Sequence, residues 1–112
     1  MLTQAGVEER ISNVISALER RTDEYDKLCQ QAAESEADYR KEYAQVMIGQ
    51  LTLTERGTAD LRKYRTDRAT ADLHRTMLLH AASRNSCRES LVSLREMLNA
   101  LRTLAASLRQ LT

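Results

Sequence analysis

The chain has 112 residues, 29% of them charged, with three Gly, four Tyr and no Pro, Trp or Phe. That length holds one domain at most, and the scarcity of rings and turn residues excludes a β-rich or mixed globule with an aromatic core. Seventeen basic against sixteen acidic side chains leave a net charge of +1, where a nucleic-acid-binding domain is usually strongly basic.

Ala, Leu, Arg, Glu and Gln dominate, the residues that lose least on entering a helix, so the composition predicts an all-α fold. The charge is unevenly divided: residues 1 to 50 are net acidic and residues 58 to 112 net basic. Complementary halves of this kind attract each other when folded together. The amino terminus, "MLTQAGVEERISNV", carries charge early and lacks the apolar core of an export signal, which places the protein in the cytoplasm. Its longest apolar runs are a few residues, far short of the roughly 20 that cross a bilayer. Cys29 and Cys87 are then expected as reduced thiols rather than a disulfide.

In the first half an apolar or small residue recurs at sevens: Ile11, Leu18, Tyr25, Ala32, Tyr39 and Val46. Val14, Ile15, Leu28, Cys29 and Tyr43 accompany them, while Arg21, Thr22, Ser35 and Glu36 interrupt the companion positions. This heptad stripe predicts a helix packed along a long seam over about residues 4–48. "AAESEAD" is its weakest stretch and a candidate kink. Gly49 and Gly57 bracket a Thr-rich segment, Thr52 and Glu55 match a capping box, and Thr54 is a second candidate cap. The turn is therefore expected at residues 49–54.

The second arm, about residues 55–111, carries Leu73, Met77, His80, Arg84, Cys87, Leu91, Leu94, Leu98, Leu101, Ala105 and Leu108 at alternating spacings of four and three. Toward its end Met97, Leu104 and Leu111 flank the seam, and a face wider than one partner helix covers predicts further association. The whole, residues 1–112, reads as a single helical domain, a long antiparallel coiled-coil-like hairpin that assembles into a helical bundle. Leu91, Leu94, Leu98, Leu101 and Leu108 are its expected oligomer core.

His80, Arg84 and Cys87 put polarity on this apolar seam. A hairpin folded about position 54 brings His80 toward Leu28 and Cys29, and Arg84 toward Glu24 and Tyr25. His80, Arg84 and Glu24 then form a polar layer that specifies register and partner number. Zinc held by Cys29, His80 and Cys87 falls one ligand short, and no CxxC or HExxH spacing supplies the fourth. Cys29 with His80 is the one candidate nucleophile pair, but a helical seam offers neither a cleft nor an oxyanion hole. Neither catalysis nor a cofactor is expected.

Arg88, Arg95, Arg102 and Arg109 make a row at intervals of seven, preceded by Arg62, Arg65, Arg68 and Arg75. Such a row can track phosphates. The plainer alternative is a solvated face, or pairing with the carboxylates of the first arm, since no aromatic platform accompanies the arginines.

"EADYRKEYAQVMI", "LTLTERGTADLRKYRT" and "LVSLREMLNALRTLAASLRQL" together resemble small helical accessory proteins of phages and prophages from GC-rich, actinobacterium-like hosts. An excess of Arg over Lys of fourteen to three fits such a genome. The likeness spans roughly residues 36–112 and rests on the acidic, tyrosine-bearing helix, on Thr52, Glu55 and Arg56 at the turn, and on the Leu98 to Leu108 helix. It implies a non-enzymatic accessory protein in the host cytoplasm and transfers no catalytic residue. The expected function is self-association and binding of a macromolecule, a protein first. The alternative is a nucleic-acid-binding factor for phage recombination or replication that uses the Arg row.

Overall fold

The computed structural model describes residues 2–53 and 58–111, all α-helix apart from short ends and junctions. Helix α1 spans Gln4–Leu53, α2 Ala59–Ala69 and α3 Ala71–Gln110. No strand occurs among the described residues. Thr3 caps α1, its Oγ1 accepting from the Gly6 N–H at 3.0 Å, which satisfies one of the amides that every helix start leaves unpaired.

Helix α1 extends further than the glycines suggested, to Leu53. Gly49 is helical, with no positive φ, and α1 runs through it and through residues 31–37 without a break. Glycine permits a helix end but does not impose one when the flanking residues keep their seam contacts. Thr52 lies inside α1, while its side chain, the candidate cap Thr54 and its neighbour Glu55 fall outside what the structure describes. The observed cap is Thr58, whose side chain accepts from the Leu61 N–H at 3.1 Å.

At Thr70 the backbone leaves helical geometry (φ −107°, ψ 9°), yet the Thr70 N–H donates to the Thr66 carbonyl and the His74 N–H to the Thr70 carbonyl, both at 3.0 Å. Here α2 and α3 are nearly one helix with a bend. Its cause is side-chain competition for the backbone: the Thr66 hydroxyl donates to the Arg62 carbonyl and the Thr70 hydroxyl to the Thr66 carbonyl, each at 2.8 Å. Back-bonding of this kind in consecutive turns bends helices.

The chain divides into two compact units. The first joins Met1–Lys27 to Asn85–Thr112, packing the start of α1 on the end of α3. Val7, Val14, Cys87, Leu91, Leu98 and Ala105 are buried in it, with Ile11, Leu18, Leu94, Leu101 and Leu108 half-buried. All but Val7, which lies before the first expected position, are seam positions expected of the two arms. The second unit is Leu28–Arg84. Its centre differs in kind: among the described residues Ala32 is the one apolar residue in the buried set, beside the polar Ser35, Thr66 and Thr70.

Leu91 and Leu98, expected in an oligomer core, are only 4% and 8% exposed within a single chain. Within the single chain they already form the core where the start of α1 packs on the end of α3.

Candidate functional site

His80 lies on α3 at a seam position, and the α1 residue that receives it is Ser35. Their hydrogen bond joins the serine hydroxyl to the imidazole Nδ1, with Ser35 buried and His80 half-buried. A hydroxyl is a suitable partner for either histidine tautomer, since it both donates and accepts. Nearer the turn, Tyr39 and His74 stack with ring centroids 4.9 Å apart and planes 32° apart. Tyr39 also touches Tyr43 at 5.9 Å. Beyond these the Thr66 hydroxyl reaches the Met47 sulfur at 3.8 Å. One side of this unit is thus a ladder of polar cross-helix contacts where most helical seams carry leucine.

These pairs correct the expected register. Ser35 with His80, Tyr39 with His74, and Met47 with Thr66 are each centred about position 57 of the sequence rather than 54. The physical reason is the extension of α1 past Gly49: every residue gained by the first arm moves the facing position on that arm later. His80 consequently meets Ser35, six residues beyond the expected Cys29. Arg84 lies with Ala32 and Glu36 at a cavity of about 170 Å³. Glu24 belongs to the first unit, where it accepts from Arg21 of its own helix at 2.8 Å and lines a furrow with Ser90 and Leu94.

Cys87 is buried and its Sγ–H donates to the Arg21 carbonyl at 3.5 Å, the behaviour of a packed thiol rather than a reactive one. Cys29 is half-buried, and both are free. Among the described residues no group of three or more His, Cys, Asp and Glu is arranged to hold a metal. No helix among them is long and apolar enough to cross a membrane.

Arg88, Arg95, Arg102 and Arg109 are all exposed on α3. Arg88 donates to the Asn85 side chain at 3.3 Å. Arg102 borders an open groove of about 650 Å³ together with Ile15, Leu18, Glu19, Asp23 and Leu98, so two carboxylates of α1 share that groove with it.

Three seam residues escaped the sequence reading. Continuing the four-and-three spacing backward from Leu73 reaches Thr70 and Thr66 in phase, and both are essentially fully buried, at 1% and 0% exposed. Ser35, which looked like an interruption of the first stripe, is equally in phase. In comparisons with protein-family models, with curated proteins and with solved structures, nothing matches this chain.

Proposed function

We propose that this is a non-enzymatic phage or prophage accessory protein that self-associates and binds another protein through its helical surfaces. The observation that carries the binding reading is an inversion in the second unit. It keeps Ser35, Thr66 and Thr70 inside while Leu51, Leu61, Tyr64, Leu78 and Leu79 stand between 39% and 61% exposed. Each of those leucines gains about 1.5–3 kcal/mol when a partner fully covers it. Against catalysis stand the burial of Ser35, which closes the Ser35–His80 pair to a substrate, the buried, carbonyl-bonded Cys87, and the solvent-open form of the grooves along α3. The phage assignment rests on the resemblance of residues 36–112 alone.

The test is affinity capture from infected-host extract with the full chain and with a Leu78→Asp/Leu79→Asp variant. Both positions face solvent, so the fold persists. A protein retained by the first and lost by the second supports the reading; identical retention by both contradicts it.

The exposed Arg row favours a second reading, nucleic-acid binding. Its test is a mobility-shift titration of single- and double-stranded DNA across a salt series. Phosphate contacts give an affinity that falls steeply with salt, and no shift at low salt removes this reading.

A further inference from the structure

Helix α3 carries a second seam. Beside the positions that meet α1 run Ser86, Ser90, Ser93, Met97, Ala100, Leu104, Ser107 and Leu111, again at alternating spacings of four and three and without one charged residue. In the first unit this line is exposed except for the half-buried Ser90 and Leu104. Met97 is 50% and Leu111 82% exposed. The other flank of the same helix, at the corresponding spacing, holds the four arginines of the row.

We infer that this second seam is the contact through which two copies of the chain pair, antiparallel, about a two-fold axis midway between Met97 and Ala100. The inference rests on the self-association reading above and names its surface. A two-fold contact must be self-complementary, and this seam is so in size. The axis sets Met97 against Ala100, Leu104 against Ser93, and Leu111 against Ser86 of the other copy, a large side chain over a small one each time, with Ser90 meeting Ser107. Alternation of large and small across a helix pair is what lets two uncharged seams interdigitate.

The charges agree. Glu89 and Glu96 border the seam, and the same axis puts Glu96 beside Thr103 and Glu89 beside Gln110, so no like charges meet.

Sedimentation velocity on the full chain near 100 μM tests this, with far-ultraviolet circular dichroism as the check on folding. The wild type is expected at about twice its 12.8 kDa chain mass, and Ala100→Glu at the chain mass with unchanged helicity. Ser93→Glu, opposite Leu104, is an independent variant with the same expected loss. Asn99→Glu, on a different exposed face of α3, keeps the dimer. The swap Met97→Ala/Ala100→Met restores one large and one small residue per contact and also keeps it. A dimer insensitive to Ala100→Glu and Ser93→Glu overturns this surface while leaving self-association standing. A monomeric wild type overturns both, and if Ala100→Glu then abolishes capture of a host protein, the face belongs to a different partner.

Discussion

Ser35 of α1 and His80 of α3 share a hydrogen bond inside the second unit, 45 residues apart in sequence. A serine among heptad positions is a gap when the helix is read alone and a partner when the helices are paired. The contact gives the seam a reason to prefer this alignment over the one-turn slip that sets Ser35 against Met77 and His80 against Ala32, which leaves both polar groups without a partner.

Ser35→Ala removes one side of this bond and is expected to lower stability by about 1–3 kcal/mol, the cost of leaving a partly buried polar group unmet. Ser35→Ala/His80→Leu removes both sides and is expected to cost less than Ser35→Ala alone. Urea unfolding of the wild type, the two single variants and the double variant measures the coupling; strict additivity contradicts a direct interaction.

Leu91 and Leu98 are buried in the first unit, whereas Leu78 is 53% exposed on the same helix. Leu91→Ala and Leu98→Ala are each expected to cost about 2–5 kcal/mol, and Leu78→Ala less than about 0.5 kcal/mol. Thermal and urea unfolding at equal protein concentration give the comparison. Equal losses at Leu78 and Leu98 contradict the burial of the seam.

Thr58 accepts the Leu61 N–H and opens α2. Thr58→Ala is expected to cost about 1 kcal/mol and Thr58→Asp almost nothing, since an aspartate caps as well as a threonine. Amide hydrogen exchange at Leu61 and Arg62 reads this locally: faster exchange in Thr58→Ala and wild-type protection in Thr58→Asp are expected, and the opposite order contradicts the cap.

Much of this architecture was legible in the sequence. Ile11 through Val46 and Leu73 through Leu108 announce their seam by spacing alone, since an apolar residue every three or four positions has one way to bury itself. The turn was not, because Gly49 allows both a helix end and a helix interior, and the choice depends on contacts such as the one Met47 makes with Thr66 of a distant segment. A shift of the turn by three residues displaces facing positions by about six, which is why Cys29 was expected beside His80 and Ser35 stands there. Thr66 and Thr70 were hidden for a different reason: a threonine buried at a seam position bonds its own helix backbone, and its composition resembles that of a loop.

Engineered disulfides test the register of the two helices most directly. In a Cys29→Ser/Cys87→Ala background, the pair Ser35→Cys with His80→Cys is compared with Leu28→Cys and His80→Cys under mild oxidation and denaturing, non-reducing electrophoresis. Bridging needs Cα atoms within roughly 7 Å. The structure predicts rapid intramolecular closure of the Ser35 and His80 positions and little for Leu28 with His80. Closure of the Leu28 pair in preference to the Ser35 pair would contradict it.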